Sequence, residues 1–151
     1  MANSPNLRVD LDGETVEGFL ARMAIDVRNK SAKAAVRAAG TIVKRQAKKN
    51  APVGGSRTGR KADKPHLRDT IKVKVKEYGE YTIAIVGAAW PSGAHAHLVE
   101  FGHNIVRGGE QVAEVAPQPY LRPAADTTKK QQADAIKKSL ARALERQAKQ
   151  G

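Results

Sequence analysis

The sequence predicts an α+β protein: an N-terminal helix or pair of helices and a C-terminal helix packed on a small antiparallel sheet, with one long basic loop. Three observations carry this expectation. Apolar residues recur at helical spacing through residues 14–49 and again from about Pro123 to Lys149. They alternate at strand spacing in two adjacent runs, "TIKVKVKE" and "YTIAIVGA". Between the first helical stretch and these runs lies "APVGGSRTGRKADKPHLRD", basic, broken by glycine and proline, and too poor in apolar residues to be buried.

Taken in order, residues 1–12 read as a leader in which Leu7, Val9 and Leu11 alternate as in a short edge strand. From Glu14 the period changes. Val16, Phe19, Leu20, Met23 and Val27 form the apolar stripe of an amphipathic helix, which resumes through Ala34, Ala35, Ala38, Ile42 and Ala47. This gives helices over 14–28 and 31–49, or one fused helix, with Ser31 either a cap or a mid-helix residue. Asn50, with Pro52 just after it, marks the stop. The loop over 50–69 is long for a compact domain, a length associated with function or disorder.

In the strand region, 70–121, Ile71, Val73 and Val75 alternate with Lys72, Lys74 and Lys76, a half-buried strand with one lysine face. "YGE" turns the chain into a second strand, Tyr81, Ile83 and Ile85 against Thr82, Ala84 and Val86. Being apolar on both sides, that strand is expected to be the more central. Gln111–Ala116 is a further strand candidate. In the tail, 123–149, Ala133, Ile136, Leu140, Leu144 and Ala148 make a narrow helical stripe. Pro123 suits a first turn, Asp126 or Thr127 a cap, and Arg146 and Lys149 the negative end of the dipole. All 151 residues are expected to form one domain.

The chain has no cysteine and is only 4% aromatic, so the core must be built from alanine and aliphatic residues without disulfides or thiolate ligands. The N-terminal stretch lacks the features of a secretory signal, and no apolar run reaches the roughly 18 residues of a membrane span. A soluble chain made in the cytoplasm is the expectation. The net charge of +12 is unevenly placed: Arg28 to Lys76 holds 16 basic residues against Asp63 and Asp69, while the remainder is close to neutral. Such a field attracts nucleic acid, an acidic protein face or an anionic membrane, or simply keeps the chain soluble.

The stretch "HAHLVEFGH" concentrates three of the four histidines beside Glu100. As a strand it would place His95 and His97 on one face, with Glu100 and His103 near. The segment has no helix-borne H-E-x-x-H pattern, and glycines and apolar residues surround it, so neither rigid ligation nor an orienting shell is provided. Nucleophile elbows, carboxylate pairs and phosphate-loop patterns are also missing, and "GGSRTGRK" lacks the strand–loop–helix order of a phosphate cradle. The expectation is a protein without metal, cofactor or catalysis. Leu98, Val99 and Phe101 are then core anchors, Glu100 faces outward or meets a cation, Gly102 permits a sharp turn, and the histidines are partly exposed.

With these pieces in order, the chain resembles the tail-component family of lambdoid siphophages typified by gene product ten of phage HK-ninety-seven. The resemblance rests on "VKRQAKKNAPVGGSRTG", "HLRDTI", "HAHLVEFGH" and "APQPYLRPAAD" in series, over roughly residues 31–146. This sequence departs from the pattern in the basic insertion "RKADKPH", in His103 where the family has threonine, and in the long link "NIVRGGEQVAEV". The resemblance implies a non-enzymatic part of a virion, at the head–tail junction, working as a cyclic ring. Its implied partners are further copies of itself, head-completion or stopper proteins, and tail-terminator or tail-tube proteins.

Interface candidates on this reading are Glu100, Phe101, Gly102, Pro119, Tyr120, Leu121 and Arg122, with Tyr120 and Leu121 equally suited to a core plug seating the last helix. Candidates to face genomic duplex DNA without reading sequence, or an acidic partner, are Lys44, Arg45, Lys48, Lys49, Arg57, Arg60, Lys61 and Lys64. The alternative class is a free-standing, sequence-independent nucleic-acid-binding protein, which accounts for the charge but leaves the "EFG" and "PQPYLRPA" blocks without a reason. A membrane surface is disfavoured because the basic helix has mostly alanine to insert.

Overall fold

The structure, a computed structural model, describes residues 10–11, 14–15, 25–53, 65–79 and 81–149. Its elements run β1 (Asp10–Leu11), β2 (Glu14–Thr15), α1 (Ile25–Asn50), α2 (Leu67–Thr70), β3 (Ile71–Tyr78), β4 (Tyr81–Ala88), α3 (Ala96–Phe101), β5 (His103–Arg107), β6 (Glu110–Val115), α4 (Leu121–Thr127) and α5 (Lys129–Ala148). The α+β class is as the sequence predicts. The strands form three separate two-stranded sheets, β1–β2, β3–β4 and β5–β6, in place of one small sheet.

Local departures have local causes. Glu14 and Thr15 pair with Leu11 and Asp10, so helix does not begin at Glu14. Val16, Phe19, Leu20 and Met23 lie outside the described residues, as do Leu7 and Val9. Ser31 is buried mid-helix: the two expected segments are one 26-residue helix. The end of the basic loop, Leu67–Thr70, closes a helical turn in which the buried Thr70 hydroxyl donates to the Leu67 carbonyl at 2.7 Å. The tail helix is broken at Thr128, where Gln132 donates to the Thr128 hydroxyl from its side chain (3.0 Å) and to its carbonyl from its backbone (2.9 Å). Thr128, rather than Asp126 or Thr127, thus stands at the junction of α4 and α5.

Helix α1 owes its role to one i, i+4 row. Ser31, Ala35, Ala39, Val43, Ala47 and, just past the helix, Ala51 are all buried. Small side chains along such a row let neighbouring elements approach closely. At each level the row two residues on, Lys33, Arg37, Thr41, Arg45 and Lys49, is exposed.

The chain divides into two compact units, one of residues 1–42, 74–85 and 128–151, the other of 43–73 and 86–127. In the first, Ala35 packs with Leu140 and Ala143 of α5, flanked by Val27 and Ile136. Lys33 reaches Glu77 of β3 at 2.8 Å, a half-exposed pair of small energetic weight. In the second, Val43, Ala47, Ala51, Leu67, Ile71, Tyr120 and Ala124 form the core, with Val86, Val99 and Leu121 at its margin.

The β3–β4 hairpin turns at Gly79, where φ is +58°. In β3 burial follows the expected alternation, Ile71, Val73 and Val75 inward and the lysines outward. In β4 the expectation fails. Thr82, Ala84 and Val86 take the half-buried side while Tyr81, Ile83 and Ile85 are exposed, so β4 is not a central strand. A run apolar on both sides contains no information about which side turns inward.

Leu140, only 1% exposed, is the largest side chain of the first core. Leu140→Ala is expected to cost about 2–4 kcal/mol and lower the melting temperature by roughly 5–15 °C, measured by thermal unfolding followed by circular dichroism.

Candidate functional site

The residues of "EFG" and "PQPYLRP" meet in the second unit. "HAHLVEF" contributes the single-turn helix α3, not a strand, so His95 and His97 are not on a common strand face; both are exposed. Helical spacing puts Val99 at the core margin, Glu100 inside and Phe101 outside. Of the two alternatives for Glu100, outward-facing is excluded by its 6% exposure, while the Arg122 charge does act on it; and Phe101, at 59%, does not anchor the core.

The reason lies twenty residues on. A helix begins with four backbone N–H groups that have no partner inside it. At the start of α4 the Tyr120 and Leu121 amides donate to Glu100 Oε2 at 2.8 and 3.0 Å, and the Arg122 amide donates to Oε1 at 3.1 Å. The fourth position is Pro123, which has no N–H. One carboxylate therefore satisfies the entire helix start. Tyr120 carries none of the side chains that usually cap, so the cap is supplied from α3.

Neighbouring bonds hold the same geometry. The Gln118 amide donates to the Val99 carbonyl at 2.8 Å. Asn50, at the end of α1, accepts from Gln46 at 2.9 Å and donates to the Tyr120 carbonyl at 3.4 Å. Gly102 leaves α3 with φ +73°, and a Cβ there would lie 2.6 Å from the Val115 carbonyl oxygen and 2.9 Å from Pro117 N. Only glycine meets both conditions.

Burial pushes the Glu100 pKa up, but the amides of Leu121, Tyr120 and Arg122, with the Arg122 charge, outweigh it and bring it below the ordinary 4.5. The Tyr120 hydroxyl is pushed up by burial and by the nearby Glu100 charge. That hydroxyl is buried and has no hydrogen-bond partner among the described residues.

Of the sequence-predicted interface residues, Glu100 and Tyr120 lie inside, Leu121 and Gly102 are half-buried, and Pro119 and Arg122 are exposed. Above the clamp, the Arg122 guanidinium sits 4.8 Å from the centre of the exposed Phe101 ring. Trp90, the chain's one tryptophan, is 82% exposed beside the cis bond to Pro91 and was absent from the sequence-derived set. A lone tryptophan in a turn offers no spacing signal. Of the basic candidates, Arg45 and Lys49 are exposed and Lys44 and Lys48 half-buried on α1, while Arg57, Arg60, Lys61 and Lys64 lie outside the described residues. Among the described residues, no three His, Asp or Glu side chains are placed to hold a metal ion, and no helix is long and apolar enough to cross a membrane.

Glu100→Ala leaves three amides without their acceptor and is expected to cost about 2–4 kcal/mol, more than Glu100→Gln, which keeps a neutral acceptor. The carboxyl's pKa is lower folded than unfolded, so its stabilisation is complete above about pH 4.5 and is lost as pH falls through the lowered value. The stability gap between wild type and Glu100→Gln, measured by urea unfolding, should therefore close as pH drops below about 4.5.

No curated protein and no solved structure matches this chain. The family described as "Bacteriophage HK97-gp10, putative tail-component" matches residues 15–102. That span starts ahead of the blocks that carried the sequence resemblance and stops at Gly102, before the "PQPYLRP" segment. It takes in α1, the β3–β4 hairpin and the whole of α3 with its carboxylate. The chain belongs to this family of phage tail components.

Proposed function

We propose that the protein is a tail-completion part of the virion, acting at the head–tail junction as a closed ring of identical subunits without making or breaking covalent bonds. Family membership supports a tail role. The observation that carries the finer reading is the Phe101–Arg122 pair: an aromatic ring and a guanidinium, both exposed, fixed on a hydrogen-bonded clamp. These residue types concentrate binding energy at interfaces, and rigid mounting reduces the entropy lost on docking. Trp90 adds a second exposed aromatic from the same unit. The neighbours on this reading are head-completion or stopper proteins on one side and tail-terminator or tail-tube proteins on the other. Arg122→Ala is expected to leave folding intact and reduce the yield of joined particles in a complementation assay. Normal yields from Arg122→Ala and Phe101→Ala together refute the interface assignment.

A second reading concerns the exposed row of α1. Arg45 and Lys49 are exposed one turn apart toward the end of α1, with Lys44 and Lys48 half-buried beside them. These four cations can meet phosphate oxygens of a duplex without contacting base edges. With no stacking aromatics on the row, we read it as a sequence-independent track for duplex DNA passing the ring. Retention of a random duplex is expected at about 50 mM salt and should fall steeply by about 200 mM. No retention at the lower salt assigns the row to an acidic protein partner.

A further inference from the structure

The β5–β6 hairpin belongs to neither core. It is a regular ladder, His103↔Val115, Asn104↔Glu114, Ile105↔Ala113 and, past a bulge at Val112, Val106↔Gln111 and Arg107↔Glu110. Gly108 and Gly109 close it with φ of +59° and +89°, the two positive values that a tight hairpin turn of matching twist requires. Every residue of β6 is exposed, as is all of β5 after His103, and the exposed set includes Ile105, Val106, Val112 and Val115. A lone two-stranded ribbon is marginally stable in water, and four aliphatic side chains on its surface gain nothing there.

The same chain carries a second unpartnered surface with the opposite charge. The outer face of β3–β4 shows Tyr81, Ile83 and Ile85 beside Lys74 and Lys76, with the Lys76 ammonium 5.8 Å from the centre of the Tyr78 ring. The β5–β6 register puts Glu114, opposite Asn104, on the same side of the ribbon as Val106, while Glu110, opposite Arg107, lies on the other side with Ile105; Glu114 is in no ion pair among the described residues. In a chain of net charge +12 that has just two acids between Arg28 and Lys76, copies repel unless an acidic element meets a basic one.

We propose that the β5–β6 arm of each subunit docks on the outer β3–β4 face of the next copy through the side that carries Asn104, Val106 and Glu114, Val106 meeting Ile83 and Ile85 and Glu114 meeting Lys74 and Lys76. The two surfaces are different, so the contact is head-to-tail and propagates around a ring until it closes. The inference rests on the ring reading above and names the contact that would build the ring.

The chain has no cysteine, which makes a crosslinking test unambiguous. Full-length Val106→Cys and Ile83→Cys, each altered at an exposed position, are mixed under mild oxidation over a range of concentrations, and unmodified protein is sedimented alongside. A mixed disulfide in clear excess over both homodimers is the expected result. Glu114→Lys should weaken self-association about tenfold, and adding Lys74→Glu should restore it. A protein that sediments as a ring without the mixed disulfide overturns the arm contact alone. One that stays monomeric at every concentration without the disulfide overturns both the contact and the ring reading. Crosslinking of Val106→Cys to a different virion protein, with none to Ile83→Cys, gives the arm to that protein and refutes the proposal.

Discussion

Four unpaired positions at the start of a helix dictate the arrangement of the second unit. The amides of Tyr120, Leu121 and Arg122 need an acceptor at a site that is buried at Tyr120 and partly buried at the other two, and Pro123 removes the last donor. A single carboxylate on α3 answers that need, and the cost of burying its charge is offset by three charge-assisted hydrogen bonds. The rest follows from holding the carboxylate there. Val99 must seat α3, Gly102 must let the chain pass within van der Waals range of Val115 and Pro117, and Tyr120 must fill the space beneath. The "EFG" and "PYLRP" blocks are two halves of one joint.

The long helix α1 solves a different problem. A chain with few aromatics cannot fill wide gaps, so its elements must come close. An i, i+4 row of serine, alanine and valine does this for both cores, with Leu140 supplying bulk in one and Tyr120 and Ile71 in the other. The opposite row is free to carry charge. Core and cationic surface are thus separated by two residue positions on one helix, which explains how so basic a segment can be structural throughout.

Legibility in the sequence followed the range of the interaction. Elements set by local periodicity were readable: α1 from its apolar spacing, β3 from its lysine alternation, and the β3–β4 turn from "YGE". The inward face of β4 was not, because Ile83 and Ile85 satisfy the strand pattern equally well on either side. The burial of Glu100 was also hidden, since its partners lie twenty residues away and only the folded chain joins them. A faint signal did exist. A helix start at Tyr120–Leu121 with no Ser, Thr, Asp or Asn to cap it, followed by Pro123, needs an outside acceptor, but the upstream carboxylates Glu114, Glu110 and Glu100 meet that need equally well in the sequence. The interface candidates separate by burial for the same reason: Glu100 and Tyr120 lie inside, Gly102 and Leu121 are half-buried, and Phe101, Pro119 and Arg122 are exposed.

Placing Arg122 over Phe101 has a stereochemical effect on recognition. The ring shields the guanidinium from one direction, and the backbone nitrogen of the same residue is tied down by Glu100. What remains for an incoming molecule is the rim of in-plane N–H donors, already oriented. On the interface reading proposed above, such a rim would favour a forked acceptor, a carboxylate or a phosphate approaching edge-on, over a flat aromatic arriving from the covered side.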